Sequence, residues 1–251
     1  MKLDGGVFLL QWSTGGLLLA WVTTRRRELG LGYGWLLRSV FAALGLGAVV
    51  VLGVEGLDRP TQVVAFVAAL LTVAAAVAVL GLSVVRKDVD PNLDLVAPII
   101  GAAGLVAAAQ FSGGPALLAG ARLLVGAAFL GCITDAMLLG HWYLVQPGLP
   151  RDAVKQLVRL TAVIWPVEVA VMLWPTGMVQ VLNGTVDDGW NGVLGWTWLA
   201  CAFTTIGLVG LTWAALRERA YSAVMAATGL LYLAILTGFG TDLLARAVLR
   251  P

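Results

Sequence analysis

Charged side chains are scarce in this sequence, and histidine, cysteine and lysine are almost missing from it. Only 12% of the 251 residues are Asp, Glu, Lys or Arg, whereas 60% are hydrophobic and the mean hydropathy is +0.92. So few charges cannot cover the surface of a water-soluble domain. The composition therefore excludes a soluble globular fold and places the chain in a lipid bilayer.

The missing residue types also exclude several kinds of site. The single histidine, His141, cannot supply the two axial imidazoles of a typical membrane haem b. There is no CxxC, HExxH or clustered carboxylate set, so we expect no metal site and no catalytic motif. The net charge of +2 suggests no nucleic-acid partner. Cys132 and Cys201 fall inside apolar runs, where we expect small buried thiols and no disulfide.

Long apolar runs predict an all-α, multi-pass membrane protein. Eight runs are long enough to cross about 30 Å of hydrocarbon as helices. The first has no signal-peptide cleavage pattern, so we expect it to be a membrane helix. The connections are short, which predicts a single transmembrane domain over residues 1–251. The predicted spans are 7–23, 35–54, 61–85, 95–111, 115–143, 153–178, 192–215 and 221–247.

The distribution of basic residues predicts the orientation of these helices. Lys and Arg are retained on the cytoplasmic side of a membrane. Basic residues fall at alternate connections, which predicts that both termini face the outside of a bacterial cytoplasmic (inner) membrane. The basic connections are 25–27, 86–87, 151–159 and 217–219, and those nearly devoid of Lys and Arg are 56–60, 111–115 and 183–191.

A weak internal similarity suggests that the chain contains two repeats. STGGLLLAWV (13–22) aligns with ITDAMLLGHW (133–142). Half-repeats 1–112 and 113–251 of four helices each would have parallel topology, related about an axis along the membrane normal. The acid and the histidine of the second stretch are replaced by Gly and Trp in the first. This asymmetry directs attention to helices five and six.

Glu168 is predicted to lie near the middle of helix six. It is more than about 12 Å from the start of that helix, and it follows Pro166 by two residues. A proline removes one backbone donor, so it favours a kink and a polar pocket. Glu168 could bind a proton or a cation there. The alternative is that it only fixes the packing of a neighbouring helix.

Asp135 is the second acid predicted to lie within the membrane, on helix five. It precedes His141 by six residues, or about 9 Å along the axis, and about 600° of rotation separates the two side chains. We therefore expect no direct pairing, and a proton relay between them would need a further group. The candidates for that group are Thr134, Gln11 and Tyr143.

His141 ends helix five at the predicted cytoplasmic interface, beside Trp142 and Tyr143. One interpretation is structural, because a helix C-terminus favours histidine and interfacial aromatics often flank a membrane helix. The other is that His141 gives a proton or a hydrogen bond to a ligand that enters from the bilayer. The sequence leaves both open.

Two further sets of charges have simple interpretations. Asp242 precedes Arg246 by four residues, which predicts an ion pair on one face of the last helix. Arg38 lies one turn beyond Trp35, and we expect its long side chain to reach the inner membrane surface.

The first helix reads VFLLQWSTGGLLLAWV (7–22). With eight helices and a four-plus-four plan, the chain resembles the membrane-anchor subunits of dimethyl-sulfoxide-reductase-type and NrfD-type oxidoreductases. This resemblance implies a haem-free anchor that binds a quinone near one membrane face and passes electrons to a separate iron–sulfur subunit. It assigns no catalytic residue.

The sequence supports three functional hypotheses. The first is a membrane subunit of an electron-transfer or energy-converting complex, with other subunits and lipids as partners, no cofactor ligands of its own, and a quinone near helices five and six. The second is a proton-coupled carrier of a small solute that uses Glu168 and Asp135. The third is a membrane enzyme or assembly factor without a recognisable signature.

Overall fold

The computed structural model describes residues 4–112, 115–174 and 177–249, and these residues form helices and loops without a strand. Eight helices are long and apolar enough to cross a membrane, which confirms the predicted all-α, multi-pass fold. The orientation of the termini stays a prediction. The helices are α1 Gly5–Thr24, α2 Leu31–Glu55, α3 Pro60–Arg86, α4 Val96–Ala109, α5 Ala116–Val145, α6 Asp152–Leu173, the short α7 Met178–Leu182, α8 Val193–Ala215 and α9 Tyr221–Val248.

Local signals explain where several helices begin and end. The Asp4 carboxylate caps α1 by accepting a hydrogen bond from the Val7 amide at 3.1 Å. Pro60 occupies the first position of α3, where a helix needs no amide donor. A 3₁₀ helix over Pro91–Leu95 precedes α4 and completes the fourth span.

Helix α6 is shorter than predicted. We expected a helix over 153–178, but α6 ends at Leu173 and Trp174 is extended, with φ −134° and ψ 151°. The sequence places Pro175 next, and the residue before a proline disfavours helical backbone angles. Residues 175–176 of the predicted span lie outside the described residues. The short α7 then follows.

The described chain divides into two compact units, and α5 passes from one to the other. The N-terminal unit is Asp4–Gly131, and the C-terminal unit begins at Cys132. The division follows contacts within the fold, so the predicted repeat and the predicted single domain stay predictions.

Close helix packing through small residues holds the N-terminal unit together. Helix α1 packs against α2, α3 and α4, and it contacts α5 where Gly15 faces Ala127 and Gly131. A Cβ atom added at Gly15 would overlap the backbone of Ala127, and one added at Gly131 would overlap the backbone of Gly15. Glycine is therefore required at this crossing, as in many membrane helix pairs.

Polar contacts between helices recur in the C-terminal unit. Helices α8 and α9 pack against each other, and there the Thr205 hydroxyl donates to the Thr237 hydroxyl at 2.8 Å. Within α9, Arg246 donates to Asp242 at 2.6 and 3.0 Å, which confirms the predicted ion pair. That pair is buried in the protein, with side-chain exposures of 5% and 0%.

Asp188 fixes the loop that leads into α8. Its carboxylate accepts hydrogen bonds from four backbone amides, at 2.8 to 3.3 Å. Desolvation raises the pKa of this carboxyl group, but the four N–H donors outweigh it and hold the pKa below its ordinary value. The donors are the amides of Trp190, Gly192, Leu194 and Gly195.

Candidate functional site

The C-terminal unit contains a fully buried acid, Asp135, on α5. Neither oxygen of its carboxyl group has a hydrogen-bond partner among the described residues. A buried polar group without a partner is costly, and a charged one within the hydrocarbon layer costs about 2.5–3.5 kcal/mol on insertion scales. Such a group needs a proton, a water molecule or a ligand to satisfy it. Asp135 is therefore the strongest candidate site residue.

A thiol and a hydroxyl join α5 to α6 one turn from this acid. The Cys132 thiol donates to the Leu157 carbonyl at 3.2 Å, and the Thr161 hydroxyl lies 3.3 Å from the Cys132 sulfur. Asp135 follows Cys132 by three residues, which is about 4.5 Å along α5. The α5–α6 contact thus places the Cys132 thiol and the Thr161 hydroxyl about one helical turn from the buried acid.

Glu168 is also fully buried, within α6. It follows Thr161 by seven residues, or about 10.5 Å along the axis, toward the end of α6 at Leu173. Beside it, the indole N–H of Trp165 donates to the Ala202 carbonyl of α8 at 3.0 Å. The two buried acids therefore occupy different levels of the C-terminal unit.

His141 lies exposed on α5, and its imidazole contacts a residue that the sequence analysis missed. Its Nδ1 atom lies 3.4 Å from the Tyr232 hydroxyl of α9, and the two rings meet edge to face at 6.4 Å. His141 does not hydrogen-bond to Asp135 in the structure. No sequence signal linked His141 to Tyr232, because 91 residues separate them.

The two aromatic residues after His141 hold the turn at the end of α5. The buried Tyr143 donates its hydroxyl to the Pro150 carbonyl at 2.5 Å. The Trp142 indole donates to the Gln146 side chain at 3.1 Å. These bonds give both residues a structural role in addition to any contact with a ligand.

Gln11 belongs to α1 in the N-terminal unit, whereas the other predicted site residues belong to the C-terminal unit. Its side chain is fully buried, and neither its amide nitrogen nor its oxygen has a hydrogen-bond partner in the described parts of the chain. The hydroxyl of Thr14, one turn away, shares this property.

The N-terminal unit also contains an ion pair, between Arg38 and Asp94, that the sequence analysis missed. The expectation that Arg38 reaches the inner membrane surface stays a prediction, but the structure gives this residue a partner. The Arg38 side chain is only 14% exposed and donates to Asp94 at 2.7 and 2.6 Å. Asp94 lies in the 3₁₀ helix before α4, 56 residues away.

Comparison with protein-family models, with curated proteins and with solved structures finds no match. The resemblance to anchor subunits of oxidoreductases therefore stays a hypothesis. The structure shows a multi-pass helical membrane protein, and three acids among the described residues are buried in the C-terminal unit: Asp135, Glu168 and the ion-paired Asp242.

Proposed function

We propose that this chain handles protons within the membrane at Asp135, as an integral subunit of an energy-converting or electron-transfer complex. The observation that carries the proposal is the full burial of Asp135 without a hydrogen-bond partner for its carboxyl group among the described residues. Intramembrane acids most often serve ion or proton pathways, because their burial is too costly to be retained without a use.

The arrangement of polar groups along α5 and α6 supports a proton path. His141 lies about 9 Å from Asp135 along α5 and is exposed near the C-terminal end of that helix. The Cys132–Thr161 contact and then Glu168 continue toward the opposite end. The axial steps exceed hydrogen-bond length, so water molecules or a bound ligand must complete the path.

A quinone is the ligand that best suits this proposal. Reduction of a quinone to a quinol takes two electrons and two protons. In the proposed complex, a separate iron–sulfur subunit supplies the electrons, while His141 and Asp135 supply the protons from one membrane side. Tyr143, Trp142 and Gln11 are the remaining candidates for contact with the ring or its proton supply. The proposed location is a bacterial cytoplasmic membrane, with lipids and other subunits as partners.

A proton-coupled carrier of a small solute is the second candidate. The full burial of Glu168 within α6, two residues after Pro166, favours it. A proline interrupts the backbone hydrogen bonds of a helix, and transporter sites lie near the bilayer midplane beside such interruptions. In this case Glu168 and Asp135 would bind the coupling proton in turn.

Purification from native membranes in mild detergent separates these two functions. We would identify the co-purifying proteins and extracted quinones by mass spectrometry and record an absorption spectrum of the eluate. Redox subunits in stoichiometric amounts, with bound quinone, are expected for the complex subunit. A colourless eluate that contains this chain alone would contradict that function and favour the carrier.

Replacement of Asp135 by asparagine tests the role of the acid. We expect Asp135→Asn to reduce turnover of the purified assembly at least about 100-fold, the usual contribution of a positioned proton donor. For a chain that purifies alone, the matching assay is solute uptake driven by a pH gradient in proteoliposomes. The amount of assembled protein should not change.

Asp58→Asn is the matched control, because Asp58 is an exposed acid in the connection between α2 and α3. It should leave turnover unchanged. An equal loss of turnover and of assembled protein in Asp135→Asn would instead show that Asp135 serves packing.

A further inference from the structure

The ends of four helical segments in the N-terminal unit enclose a polar cleft of about 390 Å³. It lies where α1 ends, α2 begins, α3 ends and the 3₁₀ helix precedes α4. A volume of this size is typical of sites that bind small molecules. The cleft belongs to the side of the unit that the basic connections 25–27 and 86–87 assign to the cytoplasm.

Three cations and two carboxylates line the cleft, and Lys87 is the cation without a counter-charge. Arg38 pairs with Asp94, and Arg27 pairs with Asp88 at 2.8 Å. Lys87 is exposed and forms no ion pair within the described ranges. The cleft therefore carries one surplus positive charge at its rim.

Arg38 offers further donors at the floor of the cleft. A guanidinium group has five N–H donors, and Asp94 receives hydrogen bonds from Nε and Nη2. The Nη1 group lies beside Gly34, where an added Cβ atom would be only 3.0 Å away, and it makes no hydrogen bond to the described residues. The ion pair with Asp94 holds this donor in place.

The N-terminus of α2 adds a third source of positive potential. Gly30 precedes α2 and lines the cleft with Leu31, and no side chain in the described chain caps this end of the helix. The first amide groups of a helix attract anions through their N–H donors and the helix dipole. They supplement Lys87 and Arg38 rather than forming a site alone.

Arg27 and Lys87, the two exposed cations that line the cleft, also have unusual backbone angles. Arg27 and Lys87 have φ angles of +56° and +55°, and only one other described residue besides glycine has a positive φ. Side chains other than glycine rarely adopt this conformation, and such residues concentrate at ligand sites. These two residues with a positive φ are thus both basic, and both line the same cleft.

We propose that this cleft binds a phosphate-bearing anion, recognised by the Lys87 ammonium, the free Nη1 edge of Arg38 and the N-terminus of α2. An anionic phospholipid headgroup and a soluble phosphate compound share this chemistry. The inference is independent of the proton path in the C-terminal unit.

The test is a binding titration of the purified full-length chain in detergent, where no charged bilayer surface contributes. The probes are dioleoyl-phosphatidylglycerol, dioleoyl-phosphatidylcholine and inorganic phosphate at constant ionic strength. Native mass spectrometry measures lipid binding, and the thermal shift measures phosphate binding. We expect Lys87→Gln to weaken binding of the anionic probe about fivefold, the upper range for one exposed pair of opposite charges.

Arg86→Gln is the matched control, because the adjacent Arg86 is also exposed but does not line the cleft. It should bind as the wild type does. Binding of phosphatidylglycerol alone identifies a lipid site, and binding of inorganic phosphate identifies a soluble ligand. Equal losses in both variants, equal binding of the two lipids, or no binding of either anionic probe would overturn the proposal.

Discussion

Arg38→Met should lower the free energy of unfolding by about 3 kcal/mol, because it leaves the Asp94 carboxylate buried without its partner. The Asp94 side chain is 7% exposed and accepts both guanidinium hydrogen bonds in the structure. Removal of both charges should be tolerated better than removal of one. The double variant Arg38→Met/Asp94→Leu should therefore recover at least half of the loss. Denaturant unfolding in detergent, followed by tryptophan fluorescence, measures the free energy of unfolding of the wild type and of both variants.

The Arg27–Asp88 pair of the same cleft provides the control. Its side chains are 59% and 79% exposed, so water already solvates both charges. Arg27→Met should change the free energy of unfolding by less than about 1 kcal/mol. Similar losses for Arg27→Met and Arg38→Met would show that burial does not distinguish the two pairs.

The second large effect is expected at the crossing of α1 and α5. Gly15→Ala should lower the free energy of unfolding by about 2–3 kcal/mol, the range typical of overpacked cores. The added Cβ atom meets the backbone of Ala127, which cannot rotate away as a side chain can. Gly131→Ala should have a similar effect, since its Cβ atom would meet the backbone of Gly15. The amount of monodisperse protein and its melting temperature in detergent report the loss.

Gly81→Ala tests whether glycine replacement itself is harmful. Gly81 lies in α3, and no atom lies within 4 Å of an added Cβ there. This variant should keep wild-type stability or gain up to about 1 kcal/mol from helix propensity. A loss at Gly81 as large as that at Gly15 would refute close backbone packing as the cause.

Sequence patterns were sufficient to predict the membrane spans. Apolar length alone identifies a helix that crosses the bilayer, because backbone groups in hydrocarbon must bond within the helix. The error at the end of α6 came from giving hydrophobicity more weight than local geometry. Trp174 is apolar, but the proline that follows it disfavours the helical conformation.

Contacts between distant residues could not be predicted in the same way. Arg38 was expected to reach the inner surface because it lies one turn beyond Trp35, and nothing in the sequence linked it to Asp94, which lies in another segment. The contact of His141 with Tyr232 was missed for the same reason. The hydropathy of a segment predicts whether it lies in the membrane. Which side chains contact each other depends instead on how the helices pack.

For the buried acids Asp135 and Glu168, the sequence predicted part of what the structure shows. The predicted depth of Asp135 and Glu168 in the membrane rests on their places in long apolar helices, and in the structure both side chains are fully buried within the protein. The lack of a hydrogen-bond partner for Asp135 among the described residues was not visible in the sequence, because it depends on every helix packed around it. Because Asp135, unlike the equally buried Gln11, can carry a charge, that observation gives Asp135 precedence among the candidate residues.

The most direct test of the proposed proton site is an infrared titration of the purified protein in lipid. The central claim is that Asp135 binds and releases a proton in the folded chain. We predict a pH-dependent change in the carboxyl bands that Asp135→Asn removes, that Asp135→Glu restores at a shifted frequency, and that Glu168→Gln leaves in place. Identical titrations of the wild type and Asp135→Asn would contradict the account, since Asp135 would then exchange no proton.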